Sequence, residues 1–391
     1  MDRRSRRGAL RWAYSSTGSE MSKGTDKKIR VLVVDDSAFM CKVLQEIISA
    51  DPQLEVAGQG RDGRDAIALA ESLRPDVITM DINMPHVDGL QATEMIMSQN
   101  PRPIVIVSSE SREGASSTLR ALELGAIDFV PKPSTGIDLD MRNVRDELTR
   151  KLKLAAKVRV VRTATRSKLP APHAPVPVSP GQSAAAAFAS QNGGKFPLVA
   201  IAASTGGPAA VMRVVASLPK DFAAAVVLVL HMPAAFTKQF TIQLAEIAPL
   251  PVKEAEANEL VQPGMIYLCP GSHHLRFSSL GKIALDAGAR IEGYRPCADV
   301  AFETIAAYAR SLTVGVVLTG MGSDAAKGAR AVKHAGGYVI AQDEASSMIF
   351  GMPAEAIKIG AVDEVLTLDE ISAAIEKRVT KLCRMVPAGI R

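Results

Sequence analysis

The sequence predicts an α/β protein of two doubly wound parallel-sheet domains joined by a linker, and three observations predict it. Strand-length apolar runs alternate with helix-period segments in both halves of the chain. Nearly every run ends in a polar residue placed just before a helix or turn, as in parallel sheets that gather a site at the carboxyl ends of their strands. Hydrophobic residues make up 47% of the chain but aromatic ones only 4%. The cores are therefore built from Ala, Val, Ile and Leu, which suits layered α/β packing better than an all-β fold.

In the first half, Ile29 to Val34 is a short strand that ends in Asp35-Asp36, and Ser37 caps a helix running to about Ile48. Leu54 to Gln59 and Val77 to Met80 are the next strands, with a helix over Gly63 to Leu73 between them. The third strand ends at Asp81 and is followed by Asn83-Met84-Pro85, Asp88-Gly89-Leu90 and a further helix. Ile104 to Val107 ends at Ser108, a helix covers Ala115 to Leu124, and Asp128 to Val130 ends at Pro131-Lys132-Pro133 before a last helix from Asp138. The strand ends thus carry Asp35, Asp36, Asp81, Ser108 and Lys132. Carboxylates drawn together repel unless a cation joins them, and a small set of hard oxygen ligands suits Mg²⁺ beside a phosphoryl group. A single strand-end aspartate is routinely a solvated loop residue. Polar residues at successive strand ends are not so easily explained.

This motif set resembles the receiver domain of two-component signalling proteins. The resemblance implies a flavodoxin-like fold and names Asp81 as the phosphoacceptor. It implies Mg²⁺ held by Asp36, Asp81 and the backbone carbonyl of Asn83, with Asp35 behind them. Ser108 and Lys132 would contact the phosphoryl group, and Phe129 takes the place of the switch aromatic.

Prolines from Pro170 to Pro180, an alanine-rich run over 183–189 and the glycines before Lys195 break all periodicity, so residues 151–195 read as a linker between a domain over 27–150 and one over 196–391. Residues 1–26 read as a disordered extension with no apolar segment of a signal peptide. The formal charge is +5, but the positive excess belongs to these two stretches, and 151–195 carries no acidic residue at all. The folded parts are acidic on balance, which argues against a nucleic-acid partner. No apolar run is long enough to cross a membrane. The four scattered cysteines fit a reducing cytoplasm.

In the second half, Leu198 to Ala202 is a buried strand that hands over to a helix through Ala203-Ser204-Thr205-Gly206-Gly207-Pro208. A serine on such a turn is presented as a nucleophile, with helix-start amides pointing at developing negative charge. The competing role is a helix N-cap, the commoner one for a serine there. A nucleophilic serine needs a base. Of the six histidines, His86 falls in the first domain and His173 in the linker. His273 and His274 precede a hairpin-like run, and His334 sits late in a helix. His231 alone follows a buried strand, Val226 to Leu230, and is the best base by position. Val314 to Leu318 runs into Thr319-Gly320-Met321-Gly322-Ser323-Asp324, which supplies Asp324 to orient His231 and the Met321 amide, in a Gly-flanked turn, as an oxyanion donor. The same stretch also fits a G-x-G-x-x-A dinucleotide pattern with Asp343 downstream, although that leaves Ser204 and His231 without a role.

Ala203 to Gly207, His231-Met232-Pro233, Pro270 to Leu275, Asp299 to Phe302, Leu318 to Asp324 and the stretch from Ala341 to Pro353 resemble the catalytic domain of chemotaxis protein-glutamate methylesterases. Receiver, linker and catalytic domain in this order resemble the CheB type. Ala202 stands where a glycine is usual and Cys297 where a serine is common. The resemblance implies a Rossmann-like three-layer domain and a cytoplasmic hydrolase that demethylates glutamate methyl esters of methyl-accepting chemotaxis receptors and deamidates receptor glutamines. Ser204, His231 and Asp324 would be catalytic, with Thr205 joining Met321 at the oxyanion. The esterase step needs no cofactor, and a chemotaxis histidine kinase would be the phosphodonor. A catalytically idle receptor-binding adaptor is the alternative function. A transcriptional regulator would need a helix-turn-helix, and none is legible.

Overall fold

The structure is a computed structural model that describes residues 13–14, 27–109, 111–132, 138–159 and 195–385. The chain divides into two compact units, one within residues 1–167 and one within 168–391. Most of the expected linker, with His173, lies outside the described residues.

The first unit contains β1 (Ala13–Tyr14), β2 (Ile29–Val34), α1 (Ala38–Ser49), β3 (Leu54–Gly60), α2 (Gly63–Leu73), β4 (Val77–Met80), α3 (Gly89–Gln99), β5 (Ile104–Ser108), α4 (Arg112–Glu123), β6 (Asp128–Pro131), α5 (Asp138–Ala155) and β7 (Val158–Arg159). Five strands form a sheet in the order β3-β2-β4-β5-β6, every pair parallel. Strand order reverses at β2, whose neighbours are β3 and β4, so the crevice for a ligand opens beyond Val34 and Met80. Val31 to Val34 and Ile104 to Val107 are buried on both faces, as the near-continuous apolar runs require. Ser37 caps α1 with its side chain, and Asp62 and Asp88 cap α2 and α3 in the same way. Within the stretch expected to be disordered, Ala13 and Tyr14 pair antiparallel with Val158 and Arg159.

The second unit contains β8 (Leu198–Ala203), α6 (Gly207–Ala216), β9 (Ala225–Leu230), α7 (Ala234–Ile247), β10 (Val252–Glu254), β11 (Ile266–Leu268), β12 (His274–Phe277), β13 (Ile283–Asp286), α8 (Ala298–Ala309), β14 (Thr313–Val317), α9 (Ala326–His334), β15 (Tyr338–Gln342), α10 (Met352–Lys358), β16 (Glu364–Leu366) and α11 (Leu368–Met385). Seven strands form a second parallel sheet in the order β10-β11-β9-β8-β14-β15-β16. Alternate residues of β8 serve the two faces. Leu198, Ala200 and Ala202 join Phe302 and Ile305 of α8 in one core. Val199, Ile201 and Ala203 are equally buried on the other side. The antiparallel pair β12–β13 stands apart from the large sheet and packs Leu275, Phe277 and Ile283 into the α8 core.

Elements begin and end within about three residues of the sequence expectation. Helix α6 starts at Gly207 rather than Ala209, because Gly206 adopts φ 74 and serves as its N-cap without a side-chain bond. Ser204 therefore does not cap α6, and the ordinary structural role for this serine falls away.

Candidate active site

Strand β8 lies between β9 and β14, and these three strands deliver the three residues of interest. Ser204 follows the last residue of β8 and His231 the last of β9, in a register that pairs Ala203 with Leu230. The His231 amide donates to the Ala203 carbonyl at 3.2 Å. On the other side, β14 pairs Val317 with Ala202, and the Ser204 amide donates to the Thr319 carbonyl at 3.1 Å. Gly320 is required where these two strand ends meet. A Cβ there would lie 2.8 Å from Ser204 Cβ, 3.0 Å from the Ser204 amide nitrogen and 2.3 Å from the Met352 sulfur.

His231 Nε2 donates to Asp324 Oδ2 at 2.7 Å, with the carboxylate 1% exposed and the imidazole 12%. The other ring nitrogen, Nδ1, is buried and has no hydrogen-bond partner. With Nε2 committed as donor, the neutral imidazole carries its free lone pair on Nδ1. Asp324 accepts from the amides of Ala298 at 2.7 Å, Asp299 at 2.9 Å and Ala325 at 3.0 Å, and from the Cys297 thiol at 3.2 Å. Ala298 and Asp299 open α8, so the carboxylate sits on a helix N-terminus that favours negative charge. Burial pushes the Asp324 carboxyl up, but His231 and these amides outweigh it and hold it down to about 2. Burial, with the same acid adding to it, drives the Cys297 thiol up to about 12, so it stays a protonated donor.

Cys297 and the stretch from Asp299 stood out only as matching positions, and their hold on Asp324 was not legible from spacing. His274, weighed as a candidate base, is fully buried; its Nδ1 accepts from the Cys297 amide at 3.2 Å and its Nε2 donates to the Ala289 carbonyl at 3.0 Å. It therefore anchors the entry to α8. His273 Nδ1 is hydrogen-bonded to the Ser272 hydroxyl at 2.8 Å. Gln342, at the end of β15, accepts from the Thr319 amide at 2.8 Å. The Thr319 hydroxyl donates to the Thr205 carbonyl at 3.0 Å. The backbone around Thr205 and Met321 is thus held by buried polar groups from β14 and β15. A chain of Gly, Thr and Gln in the sequence would have needed the strand order to reveal it.

In the first unit, Lys132 Nζ reaches Asp35 Oδ2 and Asp81 Oδ2, each at 2.9 Å. Asp35 also accepts from the Ser37 amide and Asp81 from the Ile82 amide. Burial raises the Asp81 carboxyl above its ordinary value, with the Asp35 charge adding to it and Lys132 opposing. Burial lowers the Lys132 ammonium, but its bonds to Asp81 and Asp35 win and raise it. Asp35, Asp36 and Asp81 bring one ligand oxygen each within 4.8 Å of one another, with Asp36 exposed. That donor set fits a hard, partly hydrated cation. The Ser108 hydroxyl points to the Gly114 carbonyl at 3.3 Å, while its own carbonyl accepts from the Lys132 amide at 2.8 Å. Phe129 is buried, and Lys151 Nζ stands 5.2 Å from its ring centroid.

Residues 199–375 match the family model for CheB methylesterase and residues 31–142 that for a response regulator receiver domain. A protein-glutamate methylesterase/protein-glutamine glutaminase of Pyrococcus abyssi is 44% identical over 91% of this chain and 95% of its own. One from Symbiobacterium thermophilum is 44% identical over 92% of this chain and 99% of its own. The crystal structure of the Thermotoga maritima CheB methylesterase catalytic domain is 40% identical, covering 48% of this chain and 99% of that one at a TM-score of 0.45. No helix among the described residues is long and apolar enough to cross a membrane. With relatives matched across both units, the chain belongs to the protein-glutamate methylesterase/protein-glutamine glutaminase family, a receiver domain followed by a CheB methylesterase domain.

Proposed function

We propose that the second unit hydrolyses glutamate methyl esters of chemoreceptors, releasing methanol, and deamidates receptor glutamines, with Ser204, His231 and Asp324 as its catalytic residues. The observation that carries this reading is the His231–Asp324 hydrogen bond at the strand end next to the one that carries Ser204, with the imidazole's remaining nitrogen buried and unpartnered. Ser204 Oγ attacks the side-chain carbonyl carbon while His231 Nδ1 takes the hydroxyl proton. Asp324 remains ionised throughout, because its carboxyl is held near 2, and it supports the imidazolium without taking its proton. Backbone amides at Met321 and Thr205 hold the tetrahedral oxyanion. The proton on Nδ1 passes to the departing methoxide oxygen or amide nitrogen, which leaves as methanol or ammonia. Water then attacks the acyl-enzyme by the same route in reverse and frees the carboxylate.

The first unit acts as a phosphorylation switch with Asp81 as acceptor. Asp36, Asp81 and the Asn83 carbonyl would hold Mg²⁺, with Asp35 behind, and the ion would supply positive charge to offset that of the phosphoryl oxygens. Lys132 neutralises the acids before transfer and the phosphoryl group afterwards. The Ser108 hydroxyl would leave the Gly114 carbonyl to reach that group. A chemotaxis histidine kinase is the phosphodonor, chemoreceptors are the substrate, and the cytoplasm is the compartment; nucleic acid has no part. Phosphorylation raises the hydrolytic rate.

Methanol release from methylated receptor membranes tests both halves. Wild type releases methanol, and Ser204→Ala loses it by at least about a thousandfold while still binding receptor. A wild type that binds receptor and releases nothing makes the protein an adaptor instead. Asp81→Asn keeps basal release and loses the acceleration by phosphodonor. Equal acceleration in this variant and wild type rules out Asp81 as the acceptor.

A further inference from the structure

Tyr294 belongs to none of the roles assigned above, yet it touches two of the groups that have them. Its ring stacks on the His231 imidazole with centroids 4.3 Å apart and planes 18° from parallel. The imidazole is therefore held by its edge through Asp324 and by its face through Tyr294. The phenol end reaches the turn that carries Met321. A Cβ on Gly322, whose φ is 87°, would lie 2.2 Å from Tyr294 Oη, so only a glycine admits the tyrosine there.

The segment that carries Tyr294 is fastened on several sides. Ile291 and Tyr294 exchange backbone hydrogen bonds of 3.0 and 2.9 Å. Arg295 Nη1 donates to the carbonyls of Ala287 at 3.1 Å and Gly288 at 2.9 Å. Glu292 pairs with Lys327 in the first turn of α9. The segment leads directly into Cys297 and the amides of α8 that hold Asp324. A half-buried aromatic is thus set against the base by the same stretch of chain that presents the acid.

We propose that Tyr294 is a positioning residue for the base. Its ring fixes the plane of the His231 imidazole, keeps water from that face, and favours the imidazolium that forms when Ser204 gives up its proton. The inference rests on the Ser204–His231–Asp324 reading above. The ring, not the hydroxyl, carries the effect, and it acts on the chemical step rather than on substrate binding.

The test uses the full chain with Tyr294→Phe and two ringless variants, Tyr294→Leu and Tyr294→Met, which fill the space differently. Methanol release gives kcat and KM, and thermal unfolding is followed in parallel. Tyr294→Phe stays within about twofold of wild type, while the ringless variants lose about tenfold in kcat with KM within about twofold. Their melting temperatures need not follow the loss in rate, and restoring the ring in Tyr294→Phe restores kcat. Wild-type kcat in either folded ringless variant overturns the proposal. So does a loss confined to KM, which makes the ring a substrate contact, or an equal loss in Tyr294→Phe, which makes the hydroxyl the active group. Methanol release that survives Ser204→Ala fails the underlying reading instead, and that arm is scored before the tyrosine variants.

Discussion

Asp324 Oδ1 accepts from Cys297, Asp299 and Ala325 while Oδ2 accepts from His231 and Ala298, so both oxygens work only as acceptors. Asparagine offers one acceptor and must turn its amide protons toward one of these donor sets. We expect Asp324→Asn to lower the rate of methanol release by about 10³–10⁴, because His231 then loses either its orientation or the tautomer that frees Nδ1. Denaturant unfolding of the same variant should show a loss of about 1–3 kcal/mol from the unmatched buried donor. A neighbouring residue behaves in the opposite sense. Burial raises the Asp299 carboxyl to about 6, with the Asp324 charge adding to it, although the Gly328 amide donates to it at 2.6 Å. A carboxyl raised in the fold contributes stability that is present below its unfolded value near 4 and is lost as pH rises through 6. Asp324, depressed to about 2, contributes stability that is present above pH 4 and is lost as pH falls through 2. Asp299→Asn keeps an acceptor for Gly328 and removes the buried charge. It should therefore raise stability at pH 7.5 by on the order of 2 kcal/mol and change it little at pH 4. Urea midpoints at the two pH values check this, and an equal change at both would refute the charge as the cause.

Strands β8, β9 and β14 were legible as apolar runs, and each led to a polar residue that the fold does bring to the same sheet edge. That worked because period and composition mark a buried parallel strand, and parallel sheets put strand ends together. Strand order is not written in a single run, so the contribution of β15 through Gln342 and Thr319 was not legible. Nor was Tyr294, which lies in an irregular segment with no periodicity to mark it. The same limit hid the buried group that ties α5 to β6. Lys151 Nζ bonds to Asp128 at 3.0 Å, Glu147 at 2.8 Å and the Phe129 carbonyl at 2.6 Å. Burial lowers the Lys151 ammonium, but Asp128 and Glu147 outweigh it and raise it. Lys151→Met removes a buried cation from Asp128 and Glu147, and unfolding should register a loss of about 3 kcal/mol. At the β8–β14 junction the close approach of Gly320 gives a different outcome. Gly320→Ala must displace the backbone of Ser204 as well as the flexible Met352 sulfur. A shift of about 1 Å in the nucleophile costs about a hundredfold in kcat, and methanol release under saturating substrate measures it.

At the scale of the whole molecule, each unit closes its own sheet. Val31 to Val34, Ile78 and Ile104 to Val107 are buried in the first, and Val199 to Ala203, Val226 to Leu230 and Val339 to Ala341 in the second. Both sheets are large enough to bury a core without help. Ser204, His231, Asp324, Tyr294 and the groups that hold them all come from the segment between Leu198 and Gln342. A fragment over residues 195–385 therefore contains every interaction described for the hydrolytic site. We expect it to unfold in one cooperative transition and to release methanol at least as fast as the unphosphorylated full chain. Phosphodonor and Mg²⁺, expected to accelerate the full chain, should leave the fragment's rate unchanged, since Asp81 is absent from it. Circular dichroism melting and methanol assays on the two proteins provide the comparison. A fragment that melts cooperatively but releases no methanol would mean that the first unit supplies a part of the site, and a fragment still accelerated by phosphodonor would mean that the acceleration does not pass through Asp81.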